Sequence, residues 1–283
     1  MQPDSQPLLP SRYWRDLTTV EIAALDRDRT ILILPMAAIE QHGPHLPLCV
    51  DADLNAGIVE RALGRLQASL PILVLPLIEI GKSNEHQGFP GTLTVSAETL
   101  IRQCTEIAES VARAGFRKLV LFNSHGGQPQ IMDIIAVDLR VRLEMLVVAA
   151  NWYDFGLPAE IPPELRAEMP EGFFPADELA HGIHGGAVET SMMLHLEPHK
   201  VRLDRLGNFT SRMSELAQTH PLVAQTGFAW MTQDLHYAGA LGDATLADAR
   251  KGRMIVEHAA EKLAGLLMEI DTLPDDLLKP GAL

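Results

Sequence analysis

The stretch ILILPMAAIEQHGPHLPLCVD, residues 31–51, changes character partway along. Its first nine positions are uncharged, while the remaining twelve hold two acids and two histidines. A short, unalternating Ile/Leu run is the pattern of a strand covered on both faces. Polar groups crowded behind such a strand point to a site at its carboxyl end, where open α/β sheets hold their ligands.

The same grammar recurs along the chain. Apolar runs at 72–78, 119–122 and 146–150 join 31–34 as predicted strands. Between them the apolar positions fall into a helical period near 3.6. At 53–66 they are Leu54, Ile58, Val59, Ala62, Leu63 and Leu66. A second helix is expected at 97–114, with Ser96 as N-cap and Gly115 as the stop, and others at 130–142, around 187–196 and at 246–270. Alternating strands and helices predict a layered α/β fold with a central, mostly parallel β-sheet flanked by helices. Polar residues follow each predicted strand: Glu40 and His42, then Glu85 and His86, then Ser124 and His125, then Asn151, Trp152 and Asp154.

Composition narrows the class of protein. With 283 residues, 47% apolar and 21% charged, and neither repeats nor low-complexity runs, the chain reads as one soluble domain spanning 1–283. A net charge of -14 with no Lys/Arg block argues against a nucleic-acid partner, which would need its phosphates neutralised. Residues 1–14 lack the apolar segment of a signal peptide, and no apolar run is long enough for a bilayer, so no membrane is expected. Cys49 and Cys104 are far apart and form no framework, which suits a reducing, cytoplasmic setting.

Five residues have the character of metal ligands: Glu40, His42, Asp51, His125 and Glu189. Imidazole and carboxylate together suit zinc, manganese or iron, and one carboxylate can bridge two such ions at roughly 3.5 Å. The set points to a hydrolytic centre. Each member also has a plainer explanation. Asp51 or Asp53 could cap the helix near Leu54, Glu40 and His42 could be a solvated loop pair, and Glu189 could be a first-turn helix acid. His125, followed by two glycines at a strand's end, suits a tight turn against a ligand. His184, five positions before Glu189, could shuttle a proton or could be a core histidine bonded to a backbone carbonyl. His45 could orient a ligand from behind, and His86 could line a pocket. His195, His199, His220 and His258 sit in ordinary contexts.

The segments EQHGPHLPLCVD (40–51), EHQGFPGTLTVS (85–96), FNSHGGQ (122–128), HGGAVETS (184–191) and GALGDATLADARKG (239–252) together resemble the creatininase, or creatinine amidohydrolase, family. The likeness runs from about Tyr13 to Gly252. It implies a parallel-sheet α/β fold, a homohexamer, and metal-dependent hydrolysis of a carbon–nitrogen bond in a small cyclic or non-peptide amide. It also implies two divalent ions per subunit, zinc first, with manganese or iron as alternatives. Glu40, Asp51 and His125 would hold one, and His42, Asp51 and Glu189 the other, with Asp51 bridging. His184 matches the family's catalytic histidine, which would protonate the departing nitrogen after hydroxide attack on the carbonyl.

Two departures stand out. The namesake carries an acidic ligand where this chain has Gly127, leaving Glu189 as the substitute. It also covers its substrate with tryptophans ahead of the histidine–glycine element, where ADELAHGI (176–183) has none, which argues against creatinine itself. Other activities stay open: a deformylase of a pyrimidine-nucleotide formamide, with Arg12, Arg15 or Lys82 for the phosphate; a metallopeptidase of small modified peptides; or a cyclic-ketone hydrolase. A non-enzymatic, metal-braced binding protein is opposed by the cysteine-free ligand set.

Overall fold

The structure is a computed structural model that describes residues 10–163, 172–274 and 276–279. Residues 1–9, which carry most of the expectation that no signal peptide is present, lie outside the described residues.

Four strands form one parallel sheet in the order β2-β1-β3-β4: β1 (Ile31–Met36), β2 (Ile72–Val74), β3 (Lys118–Asn123) and β4 (Leu146–Asn151). Met36 pairs with Asn123, and Asn123 with Asn151, so three strands end level and form a straight carboxyl edge.

Successive side chains of a strand point to opposite faces, which explains the unbroken apolar runs. Ile31, Ile33, Val120 and Phe122 pack on one face against helices α2 (Val50–Arg65), α6 (Ala187–Leu196) and α10 (Ala249–Asp271). Leu32, Leu34, Met36, Leu119 and Leu121 pack on the other against α3 (Ala97–Arg113) and α4 (Pro129–Leu143). The result is a three-layer sandwich with a core on each side of the sheet.

β2 is shorter than the predicted 72–78 because Pro76 has no N–H to place in a ladder. Pairing resumes at Ile78, whose N–H donates to Pro35 O at 3.0 Å. The Ser96 cap is present, its hydroxyl accepting from Thr99 N–H at 3.1 Å, and Gly115 stops the chain there at φ 100°. α2 starts three residues before its expected boundary. Cys49 holds the N-cap position without a side-chain cap, its thiol donating to Asp53 Oδ2 at 3.1 Å, so neither Asp51 nor Asp53 is the cap. α10 starts later than expected, with the Asp248 carboxylate accepting from Arg250 N–H at 2.7 Å.

Among the described residues ahead of β1 are the short α1 (Thr19–Ala23), one 3-10 turn and a bridge from Tyr13 to Val74. Beyond β4 the chain makes a long excursion before α10 closes the sandwich. It contains α5 (Ala176–His181), α6, a small antiparallel pair β5 (Asn208–Phe209) and β6 (Gly242–Asp243), and three short helices, α7 (Arg212–Thr219), α8 (Pro221–Thr226) and α9 (Thr232–Leu235). An isolated bridge between His184 and Leu241 ties the two limbs of this excursion together. α10 crosses α6 so closely that a Cβ at Gly252 would collide with the backbone of Ser191. Among the described residues no helix is long and apolar enough to cross a membrane.

Candidate metal centre

The carboxyl edge of the sheet delivers the side chains. Glu40 and His42 leave the loop after β1, Asp51 projects from the first turn of α2, and His125 sits in the turn between β3 and α4. Glu189 comes from the first turn of α6 and His184 from the loop ahead of it. All are buried except Glu189, which is half-buried.

Donor atoms of Glu40, Asp51 and His125 lie within 4.8 Å of one another, as do those of His42, Asp51 and Glu189. Asp51 belongs to both groups: its Oδ1 is 3.5 Å from His42 Nε2 and its Oδ2 is 3.3 Å from His125 Nδ1. Glu40 Oε2 lies 3.2 Å from His125 Nδ1, and Glu189 Oε2 lies 3.8 Å from His42 Nε2. A third, overlapping set joins Glu40, His42 and His184.

Proton placement gives this geometry its meaning. His125 Nε2 is 2.8 Å from Lys82 O, and His42 Nδ1 is 3.1 Å from Glu40 O. A carbonyl oxygen only accepts, so each of these nitrogens carries the ring proton. The opposite nitrogens, His125 Nδ1 and His42 Nε2, then aim lone pairs at carboxylate oxygens, which are acceptors too. Buried His42 Nε2 and Asp51 Oδ2 have no hydrogen-bond partner. Acceptors facing acceptors in a dry pocket need a cation between them, and backbone carbonyls behind the imidazoles are the usual orienting contacts of metal ligands. The residues present fit a pair of divalent ions.

The titration of these groups has the same origin. With protons as the only cations at hand, burial raises the Glu189 carboxyl to about 7, helped by the Asp51 charge against the opposing pull of His42. Burial works against a charged His42, but the carboxylates of Asp51, Glu189 and Glu40 around it outweigh that and lift the ring to about 9. Burial likewise opposes charge on His125, yet Glu40 and Asp51 drive it well above its ordinary value. Glu40, pushed up by burial, is drawn down to about 2 chiefly by His125.

His184 is different. Its ring lies between His42 and His86, with centroids 4.1 Å from each. Nε2 is 2.6 Å from Gln41 O and so carries the proton, leaving Nδ1 facing Glu40 Oε1 at 3.6 Å. Burial first, then the neighbouring His42 and His86, hold it well below the usual histidine range, so it is neutral at pH 7. His184 bonds a backbone carbonyl, as one of its two sequence readings expected, and it also lines the cleft.

His86 lines the cleft as expected and directs Nε2 at Glu40 Oε1, 3.5 Å away. His45 bonds Thr190 Oγ1 at 2.9 Å and stacks on Phe209, one step behind the cluster. Asp53, the other cap candidate, holds Lys200 Nζ at 2.7 Å.

Sequence reasoning passed over three residues. Gln41 donates from Nε2 to Gly239 O at 2.8 Å and lies 2.8 Å from His86 Nδ1, binding the loop after β1 to the excursion. Ser83 Oγ donates to Glu40 Oε2 in a short hydrogen bond. Buried Glu178 accepts from Ala187 N–H and Asp243 N–H, each at 2.7 Å, pinning the loop that carries His184 and Glu189. The structure also explains Gly127: a Cβ there would strike the Glu85 carboxylate and the His125 ring. Glu85 therefore fills the space above that glycine, held by Lys82 Nζ at 3.0 Å.

These groups stand at the base of a cleft of about 1190 Å³, lined also by Trp152, Tyr153, Leu179, Ile183, Phe228 and Trp230. Arg12 lies elsewhere, bonding Leu70 O and Gln67 O at the amino end of β2, and neither it nor Arg15 lines the cleft.

Comparison with known proteins adds an independent line. The Creatininase family model, described as creatinine amidohydrolase, matches residues 15–267. The chain is 34% identical over 256 residues to the mycofactocin precursor peptide peptidase of Mycobacterium tuberculosis, covering 87% of this chain and 88% of the relative. It is 31% identical over 251 residues to the creatinine amidohydrolase of Pseudomonas putida, covering 84% and 89%. A solved structure of creatininase with manganese superposes with a TM-score of 0.71 at 28% identity, covering 93% of this chain and all of that one (100%).

Proposed function

Because the chain belongs to the creatininase family and is thus a hydrolase of carbon–nitrogen bonds, we propose that it is a two-metal amidohydrolase acting on an amide outside the ordinary protein backbone. The observation that carries this reading is the pair of imidazoles whose protonated nitrogens are tied to backbone carbonyls while their lone pairs meet carboxylates. Glu40, Asp51 and His125 would hold one ion, and His42, Asp51 and Glu189 the other. Zinc suits the mixed imidazole and carboxylate set, and manganese or iron are the alternatives. Such a pair supplies Lewis acidity and a hydroxide nucleophile near neutral pH.

The chain's own residues do the rest. His184, neutral and fixed by Gln41 O, offers Nδ1 to take a proton and return it to the departing nitrogen. Ser83 holds Glu40 in place by donating to Oε2, while His86 Nε2 faces the other oxygen at 3.5 Å. Trp152, Tyr153 and Trp230 add aromatic surface to the lining of the cleft.

A second reading, a peptidase acting on a small modified peptide, is favoured by the size of the cleft. A nucleotide deformylase is not favoured. Among the described residues that line the cleft, Lys82 is the only Lys or Arg, and its ammonium is already engaged by Glu85. We further propose a cytoplasmic setting, where the free Cys49 and Cys104 stay reduced, and a homohexamer, supported by an exposed apolar stripe of Ile134, Val137 and Val141 on α4.

The decisive experiment strips the protein with EDTA, restores zinc or manganese, and screens cyclic amides, formamides and lactams. Turnover should vanish on chelation and return with metal. Glu189→Gln should abolish turnover and empty at least one metal position, whereas His184→Ala should abolish turnover with both positions filled. Full metal occupancy in Glu189→Gln would remove that residue from the ligand set.

A further inference from the structure

We infer that Glu178 is a positioning residue of the metal centre: its carboxylate, seated among three glycines, fixes where Glu189 and His184 stand. This rests on the two-metal reading and adds to it a residue that touches no ion.

The chain places an acid where an apolar side chain would be expected. Glu178 is the one buried residue of α5, 7% exposed, while Leu179 beside it is 47% exposed. A carboxylate removed from water is costly unless its oxygens are bonded, and here both are. Oε1 accepts from Ala187 N–H and Oε2 from Asp243 N–H, each at 2.7 Å. Gly182, Gly186 and Gly242 close around the group: a Cβ added to them would lie 2.3, 2.5 and 2.6 Å from Oε1 respectively. No side chain larger than hydrogen fits at these three positions while the carboxylate is there.

The bonded amides lie beside the reacting groups. Ala187 opens α6, where Gly186 stands at the N-cap with no side chain to satisfy the free N–H groups of the first turn. Glu178 supplies the missing cap from another helix, and its negative charge suits the positive end of the α6 dipole. Glu189 follows two residues later in the same turn, its Oε2 accepting from Gly185 N–H at 2.6 Å. Asp243 lies in β6, two residues beyond Leu241, which exchanges backbone hydrogen bonds of 2.7 and 3.4 Å with His184. One carboxylate therefore joins the segment bearing Glu189 to the segment backing His184. A glutamine could not replace it, because its NH2 group would meet one of the two N–H donors.

The test measures zinc binding to the stripped parent chain, Glu178→Gln and Glu178→Ala by competition with a chromophoric chelator. Amide hydrogen exchange over 184–190 and 241–244 is followed in the same stripped proteins. Glu178→Ala should lower zinc affinity at one of the two positions about 10–100-fold, the range for losing a group that orients metal ligands, and should speed exchange in both segments. Sodium formate fits the vacated space and should restore both readouts toward the parent, an answer that a general loosening of the fold would not give. Formate should leave the parent unchanged, which excludes an effect on the metal itself. Glu178→Gln, with the space filled, should lose affinity without responding to formate. If the parent binds no zinc while exchange still rises in Glu178→Ala and falls with formate, the two-metal reading fails and the placement by Glu178 stands. Parental zinc affinity in both variants, or a loss in Glu178→Ala that formate leaves untouched, would overturn the inference and leave the two-metal reading intact. Should Glu178→Ala not fold, Glu178→Gln carries the zinc comparison alone: a loss of at least about tenfold supports the inference, and a smaller one overturns it.

Discussion

The two imidazoles that face carboxylates define how the site responds to pH. Without metal, His42 titrates at about 9 and Glu189 at about 7, so protons occupy the cluster at neutrality. A divalent ion must displace them, hence its affinity should climb between pH 6 and pH 9, and binding should release protons. Calorimetry in buffers of different ionisation enthalpy measures that release; a buffer-independent enthalpy would contradict it. Stability of the stripped protein should move the other way. His42 is raised in the fold, so its contribution is complete below its unfolded value near 6.5 and is lost as pH rises through about 9. Glu189, raised to about 7, costs stability once it is forced to ionise. The stripped protein should therefore melt at progressively lower temperature from about pH 7 to pH 9, above the range in which the buried neutral His184 and His45 favour the fold as pH rises, and added zinc should flatten the trend. At this scale much was legible in the chain. Glu40, His42 and His125 declare themselves because each follows an apolar strand at once. Gln41 and Glu178 did not, because their contacts lie with Gly239 and with Asp243, far along the chain, and no local pattern encodes them.

Among the elements, α6 bears Glu189 and is gripped from behind by α10. Gly252 makes that grip possible, since even one methyl group there would press on the Ser191 backbone. Gly252→Ala should destabilise by about 1–3 kcal/mol, the range for overpacked interiors, and should also weaken metal binding as α6 shifts. Thermal melts with and without zinc would separate the two effects: a smaller zinc-induced gain in Tm than in the parent chain marks the displaced ligand. The strands and the amphipathic helices α2, α3 and α10 could be read from periodicity alone. Boundaries could not. Pro76 cut β2 short through its missing N–H, and α2 began at Val50, without a side-chain cap to announce it. The small β5–β6 pair, two residues per strand, has no sequence signature of its own.

For the molecule as a whole, bound metal should act as a stabilising ligand. At a free concentration a hundredfold above Kd, binding contributes about 2.7 kcal/mol, so EDTA should lower Tm by on the order of 5–10 °C. Light scattering should report about six times the 31.0 kDa chain mass if the homohexamer holds; a monomeric mass would leave the α4 stripe without that role. The layered α/β architecture was readable from the alternation of strands and helices, because each apolar run is covered on both faces. The long excursion between β4 and α10 was not, since its short helices are placed by one another and by single long-range bonds such as Thr232 of α9 to Glu85 O, which no local pattern encodes. That excursion supplies His184 and Glu189 to a cluster otherwise built on the sheet's rim, with Asp51 shared by both groups of donors. An ion clasped there would behave like a reversible cross-link, closing a long loop of chain as a disulfide does. Chelation should then quicken amide hydrogen exchange across 176–248 well before it reaches β1 and β3, so that the catalytic half of the molecule loosens while its frame stays shut.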